Sequence, residues 1–384
     1  MKITLVGNYE PDRQQSMLRF ASVLYEQYRA RNLDVEMIRP QPATARGMDT
    51  RRGLGKWLGY VDKFLIFPRQ LAALARSVQG QSFVAHVCDH SNASYTRPLR
   101  SCPHLVTCND LLAIRSALGE FPENATSWTG KRLQQMILAG LNGARRVACI
   151  SEATRQDVLR LTRLPASKVD LVYMGLNYNF RPMELSESGP ILERLLGTPR
   201  GVVPEYLMHV GGNQWYKNRL GLLKIYDALR RAKPDCPALV LVGEPISSEM
   251  AGFIAEHRLG EKVKALEKAG NEEVRALYST ARCMVFPSLA EGFGWPIVEA
   301  QACGCPVATS NRAPMTEVGG AGALYLDPGR PDLAAAELAK LLAESSEQRA
   351  GRVRQGLANA ARFSTETMVG QYLGLYAQLA GEGS

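Results

Sequence analysis

Short apolar runs alternate with helical patterns along almost the whole chain, and they do so in two series. Strands buried on both faces read as continuous apolar runs, and helices must then cross between them, so the pattern dictates parallel sheets wrapped by helices. The first series comprises Lys2 to Val6, Val35 to Ile38, Phe83 to Val87, His104 to Thr107, Arg146 to Ile150 and Val169 to Tyr173. The second comprises Tyr206 to Val210, Leu239 to Val242, Val263 to Leu266, Cys283 to Phe286, Val307 to Thr309 and Ala323 to Leu326. After the first strand, Met17, Phe20, Ala21, Leu24 and Tyr28 recur at helical spacing. A length of 384 residues suits two such cores better than one. Residues 1–182 read as the first domain, 183–204 as a proline-marked linker and 205–363 as the second domain. Thr365 to Leu379 closes the pattern as an amphipathic helix carrying Met368, Tyr372, Leu375 and Leu379.

The net charge of +9 suits nucleic acid, an anionic surface or a phosphorylated substrate, and no long Lys/Arg block favours nucleic acid. The eight cysteines form no pair of C-x-x-C knuckles, and the five histidines complete no zinc pattern. Cys303-Gly304-Cys305 reads as a tight apolar turn in preference to a redox pair. The start, Met-Lys-Ile-Thr-Leu-Val-Gly, enters a strand directly, and no apolar run approaches the ~20 residues of a membrane span. The expectation is a cytoplasmic protein with reduced thiols.

In open parallel sheets ligands sit beyond the carboxyl ends of the strands. The richest such loop follows Phe286 and runs Pro287-Ser288-Leu289-Ala290-Glu291-Gly292-Phe293-Gly294-Trp295-Pro296-Ile297-Val298-Glu299. Gly292 and Gly294 permit turns that a Cβ resists, and Pro296 suits a first helical turn. The helix start, with its dipole, is an anion site matched to a diphosphate. Glu291 precedes that helix and Glu299 lies inside it, so two carboxylates meet one ligand at different heights. A lone pair of glutamates would read as solvated charges; their setting in this glycine loop reverses that.

This segment resembles the E-x7-E signature of the retaining GT-B glycosyltransferases of family 4, the glycosyl transferases group 1. The likeness is strongest from Val210 to Pro328 and clear around His86 to Leu111 and Ile150 to Gly175. It implies an α/β, GT-B architecture: two Rossmann-like domains facing each other across a cleft, with the C-terminal helix (364–384) returning to the N-terminal domain. It implies a nucleotide diphosphate sugar as donor and a glycan or lipid-linked acceptor. Glu291 would lie near the donor sugar and Glu299 at the ribose hydroxyls. The backbone of Gly292, Phe293, Gly294, Trp295, Pro296 and Ile297 would line sugar and diphosphate. Lys217, in the loop with Gly212 and Asn213, would meet the diphosphate, where negative charge grows on the leaving oxygen. Leu266 and Glu267 would meet the base. No metal or other cofactor is implied.

The chain departs from its relatives in two places. Many carry an arginine five or six residues before the lysine, where this chain has Gly211 and Gly212; Arg219 and Arg282 are the substitutes at hand. Relatives usually show a histidine before Asp110, beside the donor sugar, where this chain has Asn109. An amide bonds a hydroxyl but is no base near neutral pH. On the acceptor side, Asn8, Tyr9, His86, Asp89, His90 and Asp110 follow or end strands of the first series. For each histidine a structural role weighs at least as much as a catalytic one.

Residues 51–69 place Leu54, Trp57, Leu58, Val61 and Leu65 on one stripe with Arg51, Arg52, Lys56 and Lys63 nearby. Such a helix can lie on an anionic bilayer, at the inner face of the membrane, or pack on a core. Rival readings are a catalytically impaired nucleotide-sugar-binding subunit and a nucleotide-sugar epimerase of the same architecture. A dehydrogenase is disfavoured because no G-x-G-x-x-G follows the first strand.

Overall fold

The computed structural model describes residues 1–50, 52–199 and 201–381. The chain divides into two compact units, Met1–Asn177 with Thr365–Ser384, and Tyr178–Ser364. In the first, β1 (Lys2–Val6), β2 (Val35–Ile38), β3 (Phe83–Val87), β4 (His104–Cys108), β5 (Arg146–Cys149) and β6 (Val169–Leu171) form a parallel sheet in the order β2-β1-β3-β4-β5-β6. In the second, β7 (Tyr206–Gly211), β8 (Ala238–Gly243), β9 (Val263–Glu267), β10 (Cys283–Phe286), β11 (Val307–Ser310) and β12 (Ala323–Leu326) are also parallel, in the order β12-β11-β10-β7-β8-β9. Central strands are buried throughout: every residue of β3, β4, β10 and β11 is shielded from water. That is why they read as apolar runs without alternation.

The stretch 183–204 is not a plain linker. It contains the helix Leu185–Leu196, which belongs to the second unit and buries Leu192 and Ser188. Pro190 lies inside this helix and breaks the periodic signal that would have announced it. The division between the units falls at Asn177/Tyr178.

The final helix, Thr365–Gly381, lies in the first unit and packs on β3. Its approach needs a glycine, because a Cβ on Gly175 would stand 2.5 Å from the Cα of Thr365. The helix brings Tyr372 and Tyr376 onto His86, the fourth residue of β3. His86 Nδ1 and the Tyr376 hydroxyl are 2.6 Å apart, and His86 Nε2 and the Thr107 hydroxyl 2.7 Å. Tyr376 also pairs with Tyr28 at 3.0 Å, and Tyr372 with Thr107 at 2.8 Å. His86 therefore corrects the acceptor-side expectation: it is a core histidine, wholly buried with both nitrogens occupied. The eight cysteines are likewise buried and unpaired, and Cys303 and Cys305 flank a left-handed Gly304 in an apolar turn.

Burial holds the His86 imidazole neutral, with its pKa pushed down to about 3 from an ordinary value of 6.5. The folded state thus refuses a proton that the unfolded chain takes up below pH 6.5, so this contribution to stability is lost as pH falls through that window. Lowering the pH from 7 to 5 should cost about 2 kcal/mol through His86. Urea denaturation at the two pH values checks this, and a His86→Gln variant should lose less over the same interval. Equal losses in the two proteins would place the proton uptake elsewhere.

Candidate active site

β7 and β10 are neighbours where the strand order of the second sheet reverses. Their following loops must diverge from adjacent strand ends, which is where open parallel sheets hold ligands. The loop after β7 closes with a 3-10 turn, Trp215–Lys217, and a left-handed Asn218. Asn218 Nδ2 donates to the carbonyl of Pro287 at 3.0 Å, and the Leu289 amide donates to the carbonyl of Tyr216 at 2.7 Å. These ties fasten the two loops together. Beside them the Lys217 ammonium donates to both oxygens of Glu291, at 2.8 and 3.0 Å. The lysine side chain is 16% exposed and the glutamate 8%. Lys217 also stands 5.1 Å from the ring centre of Phe286 and 5.6 Å from that of Tyr216. The ammonium is thus held by one carboxylate and two aromatic faces, with little freedom to wander.

Gly294 begins the next helix in a left-handed conformation, φ +102°, and Trp295–Ala302 follows with Pro296 in its first turn. The Ile297 amide already donates to the Gly294 carbonyl at 3.0 Å, and Ile297 and Val298 are fully buried, which anchors the helix. Its positive end follows Glu291 closely in sequence, with Gly292 and Phe293 between Glu291 and the Gly294 cap. The Phe293 ring packs edge-on against Phe363 at 5.4 Å, so its side chain serves the core. Glu299 is 7% exposed, and the Tyr278 hydroxyl donates to its Oε2 at 3.3 Å.

Asn213 is held at three points. Its amide donates to Glu244 Oε2 at 2.7 Å, its Nδ2 to the Pro245 carbonyl at 2.9 Å, and its Oδ1 accepts from Arg219. Gly212 lies tight beside them, since a Cβ there would stand 2.6 Å from Gln214 Oε1. Glu244 was not singled out by motif; its position directly after β8 is the signal that marks it. Leu266 and Glu267 end β9, the edge strand, with β8 between it and β7. They share the carboxyl end of the sheet but are not gathered onto the Lys217–Glu291 pair. Arg282 is also elsewhere, donating to the carbonyl of Leu342 at 3.2 Å.

In the first unit β1 and β3 flank the corresponding reversal, and the loops beyond them converge on Asp89. Its carboxylate accepts from Asn8 Nδ2 at 2.6 Å, from Asn109 Nδ2 at 3.1 Å and from Ser91, with His90 Nδ1 at 3.2 Å. Burial works to raise the Asp89 carboxyl, but hydrogen bonding and charge from His90, with Ser91 and Asn8, hold it far below the usual carboxylate range. Burial works to lower His90, and Asp89 raises it overall. Asn8, Asp89, His90 and Asn109 are therefore one buried network. Asp110 is partly turned to local duty, accepting from the Leu112 amide at 2.9 Å where the helix Leu112–Ala117 begins. Tyr9 differs from the acceptor-side expectation: it is 1% exposed, and its hydroxyl donates to Asp62 Oδ2 at 2.9 Å, so its side chain is committed to packing. Among the described residues no cluster of three or more His, Cys, Asp or Glu could hold a metal ion.

Residues 201–358 match the family described as Glycosyl transferases group 1, and residues 19–180 match Glycosyltransferase Family 4. Between them they take in the second sheet, the first sheet except β1, and both candidate loops. The chain belongs to the GT-B glycosyltransferases of family 4. This glycosyltransferase is 28% identical over 294 residues to the O-antigen chain mannosyltransferase B of Escherichia coli, covering 75% of each chain. It is 29% identical over 290 residues to a D-inositol 3-phosphate glycosyltransferase of Segniliparus rotundus, covering 71% of its own chain and 60% of that protein. In fold it is similar to Anabaena HepE, solved with UDP and glucose (TM-score 0.70, 18% identity, 97% and 98% of the chains). It is similar too to a sucrose-phosphate synthase from Thermosynechococcus elongatus (TM-score 0.75, 18% identity, all of both chains).

The Lys217–Glu291 contact is short and mostly shielded, so its two partners should be strongly coupled. In a double-mutant cycle of Lys217→Met and Glu291→Gln, the coupling in urea denaturation should reach about 1–3 kcal/mol. Simple additivity would mean that the pair is not formed in solution.

Proposed function

We propose that this glycosyltransferase moves a hexose, with retention of anomeric configuration, from a nucleotide diphosphate sugar to a glycan or lipid-linked acceptor. The observation that carries the reading is the Lys217–Glu291 pair, set between a glycine loop and a helix start at the sheet's reversal. That combination offers a cation and a helix dipole to a diphosphate, and a carboxylate to a sugar hydroxyl. The UDP and glucose bound by HepE, and the mannosyltransferase activity named for the Escherichia coli relative, support the same donor class. That relative's O-antigen role favours a surface polysaccharide as the product.

In the proposed front-face step the bond between the anomeric carbon and the leaving diphosphate oxygen breaks. The acceptor oxygen bonds to that carbon from the same face, and its proton passes to the diphosphate. Charge growing on the leaving oxygen is met by Lys217 and by the helix start, which need no reorganisation to receive it. Glu291 positions the sugar, Glu299 the ribose, and Asn109 contributes hydrogen bonding without proton transfer. The reaction needs positioning and charge more than a protein base.

A thermal-shift screen against UDP, GDP, ADP and their sugars tests the donor site. One nucleotide should stabilise the protein clearly, and Glu299→Ala and Glu299→Gln should abolish that shift. An unchanged shift in folded variants removes Glu299 from the ribose site. Binding without turnover on any glycan or lipid-linked acceptor would leave a nucleotide-sugar-binding subunit.

We further propose that an anionic bilayer is met by the helical stretch 52–69; Arg51 lies outside the described residues. What supports this is an inverted helix. Gly55, Gly59 and Asp62 face inward, while Leu54, Trp57 and Leu65 are 65%, 61% and 54% exposed. A Cβ on Gly55 would stand 2.4 Å from the Asp49 carbonyl, so the glycine face cannot be exchanged for the apolar one. Trp57 meets Tyr60 edge-to-face and Tyr60 meets Phe64 at a tilt, each with ring centres 5.7 Å apart, and Arg52, Lys56 and Arg69 are exposed nearby. No described helix is long and apolar enough to cross a membrane, so contact would be peripheral. The protein should float with anionic liposomes at low salt, and Trp57→Glu should prevent it; failure of the unaltered protein to float ends the idea.

A further inference from the structure

Arg219 opens the helix Arg219–Ala232 and is 4% exposed. Its Nη1 donates to Asn213 Oδ1 and to the Glu244 carbonyl at 2.9 Å, while Nε and Nη2 are buried with no hydrogen-bond partner. Among the described residues no carboxylate lies within ion-pairing distance of it. A buried guanidinium in that condition is expensive, by several kcal/mol in general experience, unless its charge is used. The loop above it, Gly211-Gly212-Asn213-Gln214-Trp215-Tyr216-Lys217, has a single cationic side chain, and Glu291 already neutralises that one. Lys217 and Arg219 both act on His209, a wholly buried histidine at the core of β7 whose Nδ1 is 2.9 Å from the Val285 carbonyl. Arg219 reaches this glycine loop through Asn213, and the Lys217 stem lies 3.7 Å from where a Cβ on Gly211 would stand, so both cations border the same loop.

We propose that Arg219 is a positioning residue of the diphosphate subsite, bracing Asn213 and placing a permanent positive charge under the Gly211–Asn213 loop. This rests on the donor site proposed above. Because the guanidinium is covered by the loop, it acts through Asn213 and through its field, without touching the phosphates. The geometry explains why the loop is built from small residues. A Cβ on Gly211 would stand 2.8 Å from His209 Nε2, and one on Gly212 3.0 Å from Glu244 Oε1, so the loop stays thin over the charge. The dipole of the helix that Arg219 opens adds in the same sense.

The test separates charge from scaffold. Binding of the preferred nucleoside, its monophosphate and its diphosphate is measured by calorimetry for the unaltered protein, Arg219→Met and Arg219→Lys. Nucleoside affinity should be unchanged in all three. The gain from nucleoside to diphosphate should fall about tenfold in Arg219→Met and be largely kept in Arg219→Lys, which retains the charge. Diphosphate binding in Arg219→Met equal to that of the unaltered protein overturns the proposal. So does an equal loss across nucleoside and diphosphate, which would make Arg219 a purely structural brace, and so does a matching loss in the two variants. If the unaltered protein binds no nucleotide at all, the donor site itself fails and this inference falls with it.

Discussion

The parallel pairing of β10 with β7 is the constraint on which the site depends. It joins strands far apart in sequence, and its consequence is that Lys217 and Glu291, 74 residues apart, meet at 2.8 Å. Neither residue carries chemistry alone. A lysine on a loop is a solvated charge, and a glutamate before a helix is another. Because β7 and β10 are neighbours, both loops leave from adjacent strand ends, and ties from the Asn218 side chain and the Leu289 amide fasten them together. Desolvation then strengthens what remains, because an ammonium with one carboxylate and two aromatic faces has little water to compete with.

The first unit repeats the same logic with different chemistry. Asp89, after β3, gathers two amides, a serine and a histidine contributed by three strand ends. An ionised carboxylate accepts only, so the amides of Asn8 and Asn109 must turn their nitrogens toward it and their oxygens away. The replacement of histidine by Asn109 is thus absorbed into a defined network and is not a vacancy in it. In the same sheet, His86 shows how the same residue type becomes structural once a tyrosine-bearing helix covers it.

Much of this was legible in the chain. All twelve strands were readable as short apolar runs, most plainly the central β3, β4, β10 and β11, where burial on both faces leaves no polar alternation. The helix opened by Gly294 and Pro296 was readable because only particular residues accept that backbone. The helix Leu185–Leu196 was hidden by Pro190, and the helical stretch after Gly53 was legible as amphipathic without saying which face turns inward. Glycines settle that orientation by close packing, an effect with no periodic signature.

By itself, then, the sequence determined the fold class, the two series of strands and the glycine-and-glutamate loop, since each follows from local backbone preference or from burial pattern. Only the tertiary structure decided that Lys217 is paired with Glu291, that Tyr9 and His86 are withdrawn into packing, and that Arg219 lies buried with two of its nitrogens unpartnered. Those are outcomes of which strands become neighbours and which side chains are stripped of water. Partner and solvation are properties of position in space, and spacing along a chain does not encode them.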